Sequence, residues 1–366
     1  MYVQVLAPQA SRWQEILAQL RHDVYHLPQY AVIEAQRSNT QTEAVLIAQG
    51  DCLFFSPYLL RSCQDVIPSS GVEPSLYDVI SPYGYSGFLL NEAALEHPDF
   101  AISAFHQFKE VLRSKQVCTA FLRLHPILNA QYPDRLISEP LIENGETVSI
   151  NLKLSEAELW AHLRRGHQST INKCKRLGQI VKVVPFRDYL EPFCEIYRET
   201  MDRVSAQDGY YFGRDYFHRL LELESNLHLA IVEADHQIAS ACLFFECCGI
   251  VQAHLGGTKT PFLKVSPFNL LLYSVALWAK ARGNEYLHLG GGVGGSNADP
   301  LYIFKSGFSR QRHPFFTARL VLDEAQYQAL IERRAATLGI SPAQLLTSDF
   351  FPTYRAPAPT ELLNVS

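Results

Sequence analysis

One stretch constrains the fold more than any other: the run from His228 to Gly295. His228 to Glu233 and Gln237 to Glu246 read as two long strands joined at Ala234-Asp235-His236. Ile250 to Leu255 follows as a third such segment, which reads as an antiparallel meander. A sharply punctuated helix comes next. Ser266 is expected as its N-cap, Pro267 as its first residue, and Gly283 lies just past its end. Its apolar face is Phe268, Leu271, Leu272, Val275 and Trp278, and Lys280 and Arg282 suit the negative end of its dipole. Then Glu285 to Leu289 reads as a strand running into the glycine run Gly290 to Gly295. Strands and helices interleaved in this way specify an α/β (α+β) chain.

The flanks extend the pattern. Ser155 and Glu158 form a capping box with Leu154 and Leu159 as its hydrophobic staple, so a helix starts there after a strand at Val148 to Leu152. The stretch Arg164 to Arg176 is the most basic in the chain. Asp299 and Pro300 open a short helix, Leu301 to Ser306, stopped at Gly307, and a strand at Phe315 to Leu322 and a helix from Asp323 to about Leu338 follow. The first half has a loosely similar order of elements. Trp13, Ile16, Leu17 and Leu20 recur at helical spacing. Ala44 to Ala48 and Cys52 to Leu60 form a hairpin around Gln49-Gly50-Asp51, Ser81 to Gly87 is a loop, and a helix at Ala101 to Ser114 leads into a strand at Thr119 to Leu124. The loop-rich passage from Pro126 to Gly145 is the expected boundary. It separates a first module, 1–145, from a second, 146–345, with a tail at 346–366.

Bulk properties exclude several classes. The net charge of -5, from 32 Lys and Arg against 37 Asp and Glu, gives no broad positive field for nucleic acid, so any RNA contact must use a local basic patch. No apolar run approaches the ~20 residues that cross a bilayer, and the N-terminus does not read as a secretion signal. A cytoplasmic protein with reduced thiols is the expectation. None of the eight cysteines sits in a CxxC pair or at zinc-site spacing with histidine, so no metal site is expected.

Several motifs together carry a resemblance. Tyr197-Arg198-Glu-Thr-Met201-Asp-Arg203, His254-Leu-Gly-Gly257, Pro267-Phe-Asn-Leu-Leu-Leu-Tyr273, Trp278-Ala279, Leu289-Gly290-Gly291 and Phe304-Lys305-Ser-Gly-Phe308 follow one another in order. Asp23-Val-Tyr-His-Leu-Pro28-Gln-Tyr30 and Ser81-Pro-Tyr-Gly-Tyr85 precede them. In this order they resemble the Fem-like (FemAB/FemX-type) aminoacyltransferase branch of the GNAT acyltransferase superfamily, over roughly residues 20 to 320. The resemblance implies two tandem GNAT-like modules, each a mixed, largely antiparallel twisted sheet flanked by helices. It also implies transfer of an aminoacyl or acyl group to an amine acceptor such as a peptidoglycan precursor or a small metabolite.

The family lysine maps onto Lys305, whose implied role is to stabilise the oxyanion formed when an amine attacks an ester or thioester. A solvated lysine at a helix end is the competing reading. Arg164, Arg165 and Lys173 are candidates for binding a tRNA acceptor end or a nucleotide pyrophosphate, against the plainer reading of a solvated basic face. Arg203, Tyr211, Phe268, Asn269, Tyr302 and, in the first module, Tyr85 are further candidates for substrate binding. His254 and His288 are candidate bases, though a histidine satisfied within a sheet is the commoner outcome. Gly290 to Gly295 lacks the Gly-Lys-Ser/Thr ending of a phosphate loop and is read as a hinge-like loop.

No tightly bound cofactor is expected. The donor that the resemblance implies is aminoacyl-tRNA or acyl-CoA. Gly256 and Gly257 lie too far from the capped helix to cradle a pyrophosphate, which tilts the donor toward aminoacyl-tRNA; Lys264 and the amides at Ser266 to Phe268 remain available to a phosphate. No Ser/His/Asp spacing suggests a covalent nucleophile, so direct attack by the acceptor amine is the expected mechanism. A CoA-dependent enzyme of polysaccharide or secondary metabolism, and a catalytically silent protein that binds a cell-wall fragment, are the alternatives. Oligomeric state is open.

Overall fold

A computed structural model describes residues 1–66, 75–130, 132 and 141–358, which excludes Pro133, Pro140 and the last residues of the tail. The chain divides into two compact units. The first comprises Met1–Arg21, Tyr25–Glu143 and Phe316–Ser366, and the second His22–Val24 and Asn144–Phe315.

The strands in chain order are β1 (Tyr2–Leu6), β2 (Gln41–Gln49), β3 (Cys52–Ser62), β4 (Tyr77–Ile80), β5 (Leu89–Leu90) and β6 (Val117–Arg123). These are followed by β7 (Leu141–Asn151), β8 (Ile180–Val184), β9 (Leu227–Ala234), β10 (Gln237–Cys247), β11 (Ile250–Thr258), β12 (Tyr286–Gly290) and β13 (Gln311–Val321). In the first unit β1, β2, β3 and β4 pair successively antiparallel, and β4 pairs parallel with β6 after the crossover helix Pro98–Ser114. In the second unit β8, β9, β10 and β11 pair successively antiparallel, and β11 pairs parallel with β12 after the crossover helix Phe268–Ala281. The two units therefore repeat one topology. Each adds a last antiparallel strand that follows the other unit's set in the chain: β13 pairs with β6 through Thr317–Val321, and β7 pairs with β12.

Local chemistry explains the elements. The hairpin β2–β3 turns at Gly50, whose φ of +57 is the left-handed conformation glycine tolerates. Helix Glu156–His162 starts with the capping box, Ser155 accepting from the Glu158 amide and Glu158 from Ser155. Ser266 departs from expectation. The helix cap is Pro267, while Ser266 takes a φ of +55 and its hydroxyl donates back to the Leu263 carbonyl. Ser266 therefore closes the preceding 3-10 turn and leaves the helix start without a side-chain cap. The short first strand, β8 and helix Pro28–Ser38 carry weak periodicity and have no counterpart among the expectations.

Each unit has its own core. Phe54, Phe88, Phe105 and Phe108 stack between β3 and helix Pro98–Ser114 in the first. In the second, Val148, Val232, Phe244, Val251, Leu271, Val275 and Leu287 pack the crossover helix onto the sheet. Burial of such side chains stabilises each unit by about 1.5–3 kcal/mol per residue before conformational entropy is subtracted.

Candidate active site

In the second unit β11 and β12 pair through three residues each, Ile250–Gln252 with Tyr286–His288. β11 then continues to Thr258 against β10, while β12 turns toward β7 at Gly290. The parallel pair thus opens into a splay between the end of β11 and the glycine run. The helix Pro300–Ser306 lies beside this opening.

Seven residues are too few for a helix to be stable alone, so its ends must be held from outside. The Asp299 carboxylate caps the first turn by accepting from the Tyr302 amide at 2.9 Å. At the other end the orphan carbonyls find donors. The Arg164 guanidinium donates to Ile303 at 3.1 Å, His167 Nε2–H to Phe304 at 2.9 Å, the Arg164 amide to Gly307 at 2.8 Å, and Arg312 to Ser306 at 3.2 Å. Burial keeps His167 below the ordinary imidazole range, so it serves as a neutral donor wedged against Phe308, with ring centroids 4.5 Å apart. Two glycines permit the close fit. A Cβ at Gly292 would collide with the Asp299 carboxylate and the Tyr302 Cβ, and one at Gly307 with the His167 ring.

Lys305 sits in the last turn of this clamped helix. Its ammonium donates to the Gly291 carbonyl at 2.6 Å and lies near Cys242, the β10 residue paired with Gly256 of β11. The residue is partly exposed along its length, but the ammonium end is enclosed by protein, and the enclosure governs its chemistry. Burial lowers its pKa from the ordinary 10.5 to about 8, with Asp299 and Cys242 opposing the fall. Burial also holds the Cys242 thiol protonated, well above the usual thiol range. The solvated helix-end reading does not hold for its ammonium, which turns inward to the strand splay and lines neither nearby cleft. An ammonium has three N–H donors, and the Gly291 carbonyl takes one of them.

Two clefts flank the helix. The smaller, about 460 Å³, is bordered by Thr258, Ser266, Phe268, Asn269, His167 and Phe304 among others. It opens at the start of the crossover helix, where the Phe268 and Leu270 amides donate to no protein group among the described residues. The expected free amide at Ser266 is instead bonded to the Phe262 and Leu263 carbonyls. The larger cleft, about 670 Å³, gathers Arg164, Arg165, Arg310 and Arg312 with Ser306 and Ser309, and no carboxylate lines it. Arg164 borders both.

The other candidates are scattered. Tyr302 donates to Glu146 at 2.6 Å with the Arg312 guanidinium 5.9 Å from its ring. Lys173 is exposed and reaches the Lys264 carbonyl, which ties down the loop before the crossover helix. Arg203 contacts Thr200 and Thr260, His254 meets the Tyr216 hydroxyl at 3.1 Å and packs at a tilt on Phe245, and Tyr211 is exposed beside Asp202; none lines either cleft. His288 is buried and bonded to Gln252. Tyr85 belongs to the first unit and packs on Tyr25 and His125. Sequence reasoning placed Gly291 in a motif and a hinge-like loop without giving it a role toward Lys305, and it missed Cys242, Glu146, His167, Arg310 and Arg312. Only the pair Arg310 and Arg312, both following the lysine helix, left a visible trace.

Residues 161–299 match the family model of an acetyltransferase (GNAT) domain. No curated protein matches the sequence. Among solved structures, FemX superposes with a TM-score of 0.64 at 12% identity, covering 90% of this chain and 99% of FemX. The C-terminal domain of a protein named as a lysylphosphatidylglycerol synthetase from Agrobacterium fabrum gives 0.53 at 15% identity, covering 90% of this chain and 96% of that one. A conserved protein of unknown function from Bacteroides thetaiotaomicron gives 0.52 at 12%, covering 85% of this chain and 97% of its own. Residues 161–299 thus resemble a GNAT acetyltransferase domain, and the chain as a whole has the fold of FemX.

Proposed function

We propose that this chain is an N-acyltransferase that forms an amide by moving an aminoacyl or acyl group from an ester or thioester to an amine, with Lys305 as the catalytic residue. The observation that carries this reading is the enclosed ammonium at the strand splay, fixed by a helix clamped at both ends. With a pKa of about 8 it stays mostly protonated at neutral pH. In the step envisaged, the amine lone pair bonds to the carbonyl carbon and the carbonyl π pair moves to oxygen, beside the ammonium. Collapse of that intermediate expels the alkoxide or thiolate, and the amine proton passes to the leaving group or to water. A preorganised donor at a developing oxyanion is worth about 2.7–4 kcal/mol.

The donor reading favoured is an aminoacyl group carried on tRNA. It is supported by the four-arginine cleft beside the lysine helix, since guanidinium forks suit phosphate oxygens. An acyl-CoA donor is the second reading. It is favoured by the two open amides at the start of the crossover helix, a position where helix ends bind anions. The acceptor is proposed as a cell-wall precursor or small amine, and the site of action as the cytoplasm. Among the described residues no helix is long and apolar enough to cross a membrane.

Thermal shift with each donor class separates the readings. Stabilisation by CoA thioesters supports the second, and response to charged tRNA with silence toward CoA supports the first. Transfer by neither donor class to a panel of amines, with ligand binding intact in wild type and Lys305→Ala alike, would replace both with a binding protein of the same fold.

A further inference from the structure

The hairpin joining β10 to β11 is made of residues that seldom serve in such a turn. Cys247 pairs with Ile250 across two residues, Cys248 and Gly249, with φ of +42 and +81. Two-residue hairpins with positive φ at both positions favour Asn-Gly or Asp-Gly, because asparagine and aspartate tolerate the left-handed region. A cysteine there is uncommon. The conformation has a chemical consequence. Along a strand, neighbouring side chains point to opposite faces, but the left-handed turn residue brings these two together, with sulfurs 4.0 Å apart.

A third soft donor meets them. His22 belongs to the same compact unit, and its Nδ1 lies 3.5 Å from the Cys248 sulfur, although 226 positions separate the two residues. One donor atom from each of the three residues falls within 4.8 Å of the others. A tetrahedral zinc ion with Zn–S of about 2.3 Å and Zn–N of about 2.0–2.1 Å sets sulfurs about 3.8 Å apart and sulfur and nitrogen about 3.6 Å apart. The two short edges observed match those lengths without rearrangement. A disulfide accounts for the geometry less well: it would draw the sulfurs to about 2.05 Å and leave the imidazole without a part. Cys247 is buried and Cys248 exposed, so one side of the cluster is open to solvent.

We propose that His22, Cys247 and Cys248 bind one thiophilic divalent cation, zinc foremost, through two thiolates and one imidazole, with the fourth position open to solvent. The site lies at the end of β10 and β11 away from the splay that holds Lys305, so it is independent of acyl transfer. Its effect is a cross-link within the second unit, between His22–Val24 and the hairpin.

The test is titration of reduced, chelator-treated full-length protein with Co(II), followed by displacement with Zn(II). The expected result is one equivalent of cobalt bound, with a thiolate-to-cobalt charge-transfer band and tetrahedral visible bands that zinc abolishes. Cys248→Asn keeps a residue suited to the turn, and His22→Gln leaves the turn untouched. Each is expected to weaken binding by at least ~10-fold, the lower bound known for losing even an outer partner of a metal ligand. Metal-free variants should melt with the metal-free wild type; if Cys248→Asn fails to fold, His22→Gln carries the test. Absence of stoichiometric cobalt binding by the reduced wild type, or unchanged affinity in His22→Gln, would overturn the site.

Discussion

Replacing Lys305 by methionine tests the site at two levels. The side chain keeps much of its volume and loses its charge. Enclosure lowers the pKa from 10.5 to about 8, so folding at neutral pH holds an ammonium where it is poorly solvated. At about 1.4 kcal/mol per pH unit, the cost is about 3 kcal/mol, reduced in the variant by whatever the Gly291 bond contributes, about 1 kcal/mol. Lys305→Met should therefore be no less stable than wild type at pH 7, and more stable by up to about 2 kcal/mol. Turnover should fall by about 10²–10³.

The pH dependence gives an independent check. Below pH 8 both folded and unfolded wild type carry the proton, and the penalty is present in full. Between about 8 and 10.5 the unfolded chain binds a proton that the folded chain has released, so wild-type stability rises with pH relative to the variant. The advantage of Lys305→Met in urea unfolding should shrink across that window and be gone above it. Turnover of wild type should decline as pH rises through about 8, because the ammonium is the working form. A variant that loses several kcal/mol at pH 7 while keeping normal specific activity would refute the reasoning and make Lys305 a structural residue.

Three further outcomes are expected. Gly292→Ala places a methyl against Asp299 and Tyr302, so it should destabilise by about 1–3 kcal/mol in denaturant unfolding and lower turnover together, because the helix that carries Lys305 must shift. Arg165→Ala combined with Arg310→Ala should raise the KM for a phosphate-bearing donor by at least ~10-fold at low salt, with a melting temperature unchanged, since neither guanidinium holds the lysine helix. Ser155→Ala removes the capping box and should cost about 1 kcal/mol by the same unfolding assay without altering turnover.

Much of the scaffold was legible because local chemistry dictates it. The meander, the crossover helix, the capping box at Ser155 and the Asp299–Pro300 helix start are written in residues within a few positions of each other. Lys305 was legible only through resemblance, since one lysine at a helix end looks like any other. What makes it distinctive is non-local: Gly291 lies across a loop, Cys242 on another strand, and the donors that clamp its helix come from Arg164 and His167, about 140 positions upstream. Arg164 illustrates the limit. The basic run suggested a phosphate ligand, whereas the fold also spends its guanidinium and amide on the carbonyls of the lysine helix. The His22–Cys247–Cys248 cluster was invisible for the same reason, because metal-site spacing rules read neighbours and this pairing spans most of the chain.

The repeated topology also shows, among the described residues, where the two units differ around the strand splay. In the second unit the parallel pair ends after Gln252 and His288 while β11 runs on for six residues, and the splay follows from that excess length. In the first unit the corresponding strand, β4, stops at Ile80, and its parallel pairing with β6 continues to its last residue. The Ser81 amide then donates to the Phe121 carbonyl and its hydroxyl accepts from the Arg123 amide, so the backbone stitches the mouth shut where the other unit opens. Among the described residues after β6 the first unit has no glycine run and no lysine-bearing helix; the chain passes instead through His125 and Pro126. The two copies of one scaffold therefore differ in the length of one strand beyond its parallel partner, as well as in the loop and helix that follow the last parallel strand. That excess length is what opens β11 and β12 apart beyond Gln252 and His288, where the proposed acyl-transfer site lies.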